Sequence, residues 1–321
     1  MPPVAPPAAS DLTFPPARCD RSCGAVHKTP VIGASISRRR LLKGAAAAAV
    51  AGVAVDATAL EPNHPRLVRV EIALRRLPVA FDGFTIVLLS DFHYDPYFSV
   101  TPIGAGVRLS NALEPDLVAL TGDFVTAPGF GRSIAAKPAA QASEPCARLL
   151  GTIRARYGVW ASLGNHDALS DPATIENALR RSGIEALRNR AVPIERDNAR
   201  IWLAGVDDVM ERRADLDRAL RGVPSTHPVI LLAHEPDFAD SVVRYPVDLQ
   251  LSGHSHGGQV RLPFMGAVYL PALARKYPLG LYRLGGLTLY TNAGLGTLRI
   301  PVRWNCPPEV THITLRAPGS F

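Results

Sequence analysis

The sequence predicts an α/β layered fold, on three observations. Short apolar runs of strand length recur from residue 84 onward, and helix-compatible stretches separate them. Nearly every run stops at a cluster of Asp, Asn, His and Gly. With 321 residues, 47% of them hydrophobic and 20% charged, the chain has the length and composition for a real core. That excludes disordered and fibrous classes.

Residues 67–74 alternate apolar and polar side chains and read as an opening, partly exposed strand. Residues 84–90 (FTIVLLS) form a continuous apolar run, as a strand buried on both faces would. A helix is expected over 103–113, a second buried strand over Leu117–Thr121, a helix over 144–156 and a third strand over 159–163. Next come a helix (173–182), a strand (201–206), a short helix (216–221), a strand (229–233), a short helix (238–244) and a strand, Leu249–Ser252. Beyond Gly257 the chain reads as antiparallel, with Gly280–Leu284 facing Leu287–Thr291 across Gly285-Gly286, and 309–315 closes the fold as a strand. Strand directions are therefore mixed. No repeat is visible, and 60–321 reads as one domain.

Two stretches leave alternatives open. Residues 127–143 are low in complexity and longer than an ordinary connection, so they form either a functional loop or a mobile surface insertion. Residues 262–281, apolar with Pro, Tyr and Phe interspersed, belong to the core or form an exposed apolar lip for a lipid or envelope substrate.

Residues 1–59 read as an address. A Pro-, Ala- and Ser-rich stretch precedes Ser37-Arg38-Arg39-Arg40-Leu41-Leu42-Lys43, an Ala/Gly/Val run follows, and Ala57-Thr58-Ala59 offers small residues for cleavage. Charged, apolar and small-residue parts in that order describe an export signal, and the paired arginines resemble a twin-arginine signal read by the export machinery. The expectation is a periplasmic or envelope protein, tethered to the membrane if the leader stays uncut. No run of about 20 apolar residues appears, which excludes a multi-span transporter.

The net charge of +7 is concentrated in this leader. Without it the chain holds 28 basic and 25 acidic residues, no footprint for nucleic acid. No stable protein partner is indicated. Four cysteines are too few for a disulfide scaffold; Cys146 and Cys306 read as buried free thiols, and Cys19 and Cys23 as poor evidence for a metal.

The polar clusters carry the chemistry. In chain order they are Ser90-Asp91-Phe92-His93, Gly122-Asp123, Gly164-Asn165-His166-Asp167, His234-Glu235-Pro236 and Gly253-His254-Ser255-His256-Gly257-Gly258. Ligands bind outside the carboxyl ends of strands in open α/β sheets, so the five would converge on one crevice. Carboxylate, imidazole and amide donors without a thiolate suit two divalent ions such as Mn, Fe or Zn. The one-residue spacing in Asp91-x-His93 and His254-x-His256 sets each pair on one face of an extended segment.

The series D-x-H, G-D, G-N-H-D, H, G-H-x-H resembles the calcineurin-like metallophosphoesterase superfamily. The leader and the segment Pro301-Val302-Arg303-Trp304-Asn305-Cys306-Pro307-Pro308-Glu309 resemble its exported bacterial branch. The resemblance implies a four-layer α/β/β/α sandwich of two mixed sheets. It also implies that Asp91, His93 and His256 bind a first metal, that Asn165, His234 and His254 bind a second, and that Asp123 bridges both. His166 would face the substrate and serve the leaving group. Asp167 would either orient a neighbour or cap a loop.

The implied reaction is attack of a hydroxide on phosphorus. Two divalent ions offset by Asp91, Asp123 and hydroxide leave about one positive charge, a match for a phosphodiester monoanion. The alternatives are a phosphomonoesterase or pyrophosphate-bond hydrolase on a lipid or envelope substrate, and a non-catalytic metal-dependent binding module. Gly122-Asp123-Phe124-Val125-Thr126 lacks the arginine of protein phosphatases, and Ala293 stands where close relatives often carry one.

Overall fold

The computed structural model describes residues 37–127 and 139–319, so residues 1–36 of the leader, with Cys19 and Cys23, and most of the loop at 127–143 lie outside the described residues. The chain divides into two compact units, Met1–Ala47 and Ala48–Phe321. The described part of the first unit is the exposed, basic start of helix α1 (Arg38–Val55).

The helical run continues past α1 to Asn63. By length and composition Arg38–Asn63 is apolar enough to cross a membrane, a test that a signal sequence also passes. This corrects the expectation that no such stretch exists. Asp56 and Glu61 interrupt the apolar run in sequence, but the backbone stays helical through both.

The second unit holds two six-stranded mixed sheets. The first has the order β1 (Arg66–Ala73), β14 (Glu309–Arg316), β2 (Thr85–Leu89), β3 (Leu117–Thr121), β4 (Val159–Ser162), β5 (Ile184–Ala186). In it β2 to β5 run parallel, and β14 lies antiparallel to β2 and parallel to β1. The second has the order β12 (Gly280–Leu284), β13 (Leu287–Thr291), β9 (Leu249–Ser252), β8 (Val229–Leu232), β7 (Ala199–Gly205), β6 (Arg190–Arg196). Only its two edge strands are antiparallel to their neighbours.

Strand alternation explains the continuous apolar runs. On β2 and β3, Ile86, Leu88, Leu117 and Ala119 point inward and meet Leu203, Ile230, Leu232, Leu249 and Leu251 of the second sheet. The other face carries Val87, Leu89, Val118 and Leu120, covered by α2 (Val100–Ala112), α3 (Ser143–Leu150) and α5 (Pro172–Arg181). On the far side, Val229 and Leu231 meet α6 (Leu216–Ala219) and α7 (Ala239–Val242). Helix, sheet, sheet, helix is the four-layer architecture expected. A strand covered on both faces has no polar side to show in its sequence.

Most expected elements form, with three differences. Helix α3 stops at Gly151 rather than continuing to 156. Strands β5 and β6 are absent from the sequence reading, because β5 has only three residues and β6 (RAVPIER) is charged and contains Pro193. Proline is tolerated there because β6 is an edge strand. Third, the first part of 262–281 is not core, although Ala274 is buried and Tyr277 packs against the core under the second sheet. Phe264, Met265, Val268 and Tyr269 are exposed, because the segment rises from the sheets as a small hairpin, β10 (Arg261–Leu262) with β11 (Gly266–Ala267). Cys146 and Cys306 are buried free thiols.

Candidate metal centre

The five polar clusters lie at the carboxyl ends of β2, β3, β4, β8 and β9, where parallel strands of both sheets finish at one end of the sandwich. The backbone joins them directly. The Asp91 amide donates to Gly122 O (3.0 Å), the His93 amide to Asp123 O (2.9 Å) and the Gly253 amide to His234 O (3.0 Å). The His254 amide donates to both carboxylate oxygens of Asp91, at 3.0 and 3.1 Å, tying the two sheets together.

Three groups of side chains bring ligand atoms together: Asp91 with His93 and His256, Asp123 with His234 and His254, and His93 with Asp123 and His166. Asp123 sits between the first two. Its Oδ2 lies 3.4 Å from His93 Nε2 and 3.2 Å from His234 Nε2. Asp91 Oδ1 is 3.4 Å from His256 Nε2, and His93 Nε2 is 3.1 Å from His256 Nε2. Asn165 opens the short helix α4 (Asn165–Leu169), next to His166, whose amide donates to Asp123 Oδ1 at 2.9 Å.

The paired ligands converge differently from the sequence expectation. Asp91-x-His93 and His254-x-His256 are not extended. Asp91 (φ 52°), His93 (φ 40°), Asp123 (φ 56°), His254 (φ 65°) and His256 (φ 51°) are all left-handed. Such a residue directly after a strand folds the chain back on itself, so a neighbour two positions on returns to the same point. The conformation costs roughly 1–3 kcal/mol per residue, and the packed sandwich holds it in place.

Surrounding groups settle which nitrogens are free. His234 Nδ1 donates to Thr121 O (2.5 Å) and His254 Nε2 to Ala272 O (2.8 Å), so in the neutral rings the lone pair lies on His234 Nε2 and on His254 Nδ1. His93 Nδ1 is 3.1 Å from Thr126 Oγ1. His166 Nδ1 accepts the Ala127 amide (3.0 Å), so the neutral ring carries its proton on Nε2. Asp167 caps the loop and, in doing so, holds the backbone of its neighbour Asp123. Its Oδ2 takes the amides of Asp123 (2.8 Å) and Gly164 (3.0 Å), and its Oδ1 those of Phe124 (2.9 Å) and Val125 (3.2 Å).

These residues fit a bound metal. Asn165 Oδ1 and His234 Nε2 are buried without a hydrogen-bond partner, which costs free energy unless a ligand takes them up. His93 Nε2 and His256 Nε2 can share at most one proton, whereas a cation would use both lone pairs. Electrostatics points the same way. Burial pushes the Asp123 carboxyl up, but the nearby histidine rings, His234 foremost, carry it well below the carboxylate range through charge. Burial pushes His254 down to about 3 and His256 well below its ordinary value, keeping both rings neutral, whereas Asp123 and Asp91 hold His234 well above its own against the same burial. His166 is pushed down to about 4, chiefly by burial.

Arg303 is a residue the sequence reading passed over. Fully buried, it donates only to carbonyls, of Ala293, Gly294, Gly296 and Cys306. It thereby fixes the loop whose Leu295 and Gly296 amides bond to Ser90 O and Asp91 O. A single arginine among prolines and apolar residues was the available signal.

The sequence profile of the Calcineurin-like phosphoesterase family matches residues 84–258. Among curated relatives, the uncharacterized metallophosphoesterase YkuE of Bacillus subtilis is 34% identical over 88% of this chain and 98% of its own. Phosphodiesterase YaeI of Escherichia coli is 31% identical over 87% of this chain and 99% of its own. A transmembrane protein with metallophosphoesterase domain from Bos taurus is 32% identical, covering 94% of this chain and 66% of its own. This chain belongs to the calcineurin-like metallophosphoesterase family. Phosphoester hydrolysis supported by bound metal is the function at that level.

Proposed function

We propose that the chain is a phosphodiesterase working with two divalent ions, Mn, Fe or Zn, on either side of Asp123. The observation that carries this is the place of Asp123 Oδ2 between His93 Nε2 at 3.4 Å and His234 Nε2 at 3.2 Å, one from each ligand group. In this reading Asp91, His93 and His256 hold one ion, Asn165, His234 and His254 hold the other, and Asp123 serves both. Bound ions would lower the pKa of a water and neutralise charge on the phosphoryl oxygens.

The protein side chains do the rest. Asp167 pins the backbone that aims Asp123. Thr121 O and Ala272 O orient the rings of His234 and His254. His166, neutral with its proton on Nε2, is a hydrogen-bond donor for the leaving oxygen, a role worth on the order of 10²–10⁴-fold. YaeI is named a phosphodiesterase, which supports the diester over the monoester.

The proposal extends to export by the twin-arginine route, supported by Arg38-Arg39-Arg40 and the apolar helix behind them. The bovine relative, named a transmembrane protein, supports retention at a membrane. Turnover of bis-p-nitrophenyl phosphate against p-nitrophenyl phosphate by the metal-reconstituted full chain tests the reaction class. The diester should be the better substrate. H166A should retain its metal and lose rate; unchanged turnover removes His166 from the reaction.

A further inference from the structure

The β10–β11 hairpin puts large apolar side chains into water. Phe264 at its tip is 109% exposed and Met265 80%, with Val268, Tyr269 and Ile300 exposed around them. Any small polar residue would serve a turn there, and Phe264 even takes a left-handed conformation (φ 66°). Exposed apolar side chains clustered this way mark a surface that meets another phase or partner.

The hairpin is built onto the rim of the metal centre. Gly258 approaches so closely that a side chain there would overlap Ala267 Cβ, and the Val268 amide donates to Val260 O at 3.0 Å. Arg261 Nη1 donates to Gly257 O (2.7 Å), and Ala272 O accepts His254 Nε2 (2.8 Å), so both ends of the strap 259–273 are bonded beside the ligands His254 and His256. Gln259 binds Leu298 and Ile300, bringing the next loop alongside. From that loop the Arg299 guanidinium stacks over Tyr269, 5.9 Å from the ring centroid.

The charge of the segment itself is one-sided: residues 249–308 contain no Asp or Glu, and carry Arg261, Arg275, Lys276, Arg283, Arg299 and Arg303. The carboxylates that reach it from outside, Asp237 and Glu61, are taken up by backbone amides of 275–277 and 305–306. Lys276 is paired with Asp240 and Arg303 is buried, whereas Arg275 and Arg299 are exposed. A second copy of this face would bring like charges together. An anionic bilayer offers hydrocarbon to Phe264 and Met265 and phosphate to the arginines.

We propose that the hairpin tip inserts into the interface of an anionic membrane, so that the metal centre meets the phosphoester of a lipid headgroup. The docking stands on the hairpin and its charge; the lipid substrate rests on the phosphodiesterase reading above. Insertion carries the strap and Arg299 to the headgroup plane, with the metal ligands immediately behind.

Two measurements on the full chain separate the parts. F264W, with vesicles of phosphatidylglycerol, should show emission shifted to the blue and quenched by brominated acyl chains, and much less of both with phosphatidylcholine. An unshifted, unquenched signal overturns the docking, whatever the turnover, and so does a shift that grows with protein concentration without lipid, the mark of a second copy. Diester turnover is then followed on dioctanoyl phosphatidylglycerol across its micelle threshold, beside soluble bis-p-nitrophenyl phosphate. Wild type should gain at least about fivefold on micelles, and the F264S/M265S double variant should lose that gain while keeping its soluble rate. An equal gain in both, or none in wild type while the soluble diester is hydrolysed, overturns the lipid substrate. No turnover of the soluble diester by wild type is instead a failure of the phosphodiesterase reading.

Discussion

Asp167 is not expected to touch metal or substrate, yet its replacement should disable the centre. It accepts four amides, those of Asp123 (2.8 Å) and Gly164 (3.0 Å) on Oδ2 and of Phe124 (2.9 Å) and Val125 (3.2 Å) on Oδ1. In D167N one oxygen becomes an NH₂ group that faces two N–H donors. Two buried amides then lose their acceptor, at roughly 1–3 kcal/mol each, for a gross cost of about 2–6 kcal/mol. The substitution also removes a charge that burial and Asp123 disfavour, their effect being to push the Asp167 carboxyl up to about 7. That offsets part of the loss, so the net cost should fall near the lower end, about 2–3 kcal/mol. Domains of this kind have only about 5–15 kcal/mol in total. Urea unfolding of the metal-free chain measures the stability, and calorimetric Mn titration measures the second consequence. Asp123 is left-handed at φ 56° and needs the clamp to stay so, which means metal affinity should fall as well. A D167N chain within about 0.5 kcal/mol of wild type, binding Mn equally well, would refute the reasoning.

Three further outcomes follow from the packing. G253A should fold but bind metal poorly, since its Cβ would overlap Ser90 Oγ and Asp91 Oδ2; undiminished Mn binding by calorimetry would contradict this. R303M should lower the melting temperature and loosen 292–296, seen as faster amide exchange at Leu295 and Gly296, because four carbonyl groups lose their donor. Glu309, buried against Tyr290 and Thr311, has its carboxyl raised by burial, so the folded state holds its proton more tightly than the unfolded one. Its stabilising share is full below the ordinary carboxyl range and is lost as pH climbs through the raised folded value. E309Q should therefore gain on wild type as pH rises above the ordinary carboxyl range in urea unfolding, and a difference that stays unchanged with rising pH would count against it.

The convergence of the polar clusters on one pocket was legible because chemistry demands residue types that chance seldom lines up behind five apolar runs. Strands β2, β3, β8 and β9 were legible too, since burial on both faces leaves only apolar side chains. What stayed hidden depends on tertiary context. The left-handed turns at Asp91 and His254 are imposed by backbone ties across the sheets, such as the His254 amide on Asp91, which no local pattern announces. Strand β6 exists because β7 offers it an edge, despite Pro193. For 262–281 composition left core and exposed lip both open, and only in the folded chain, where Gly258 packs against Ala267, is Phe264 seen to face outward. Arg303 finds four carbonyl partners that are adjacent only after folding.

Anomalous diffraction from Mn-soaked crystals tests the central proposal most directly. Two peaks about 3.5–4 Å apart, one beside Asp91, His93 and His256 and the other beside His234 and His254, with Asp123 touching both, are the predicted result. One peak alone, or two that leave Asp123 outside their contacts, would contradict it.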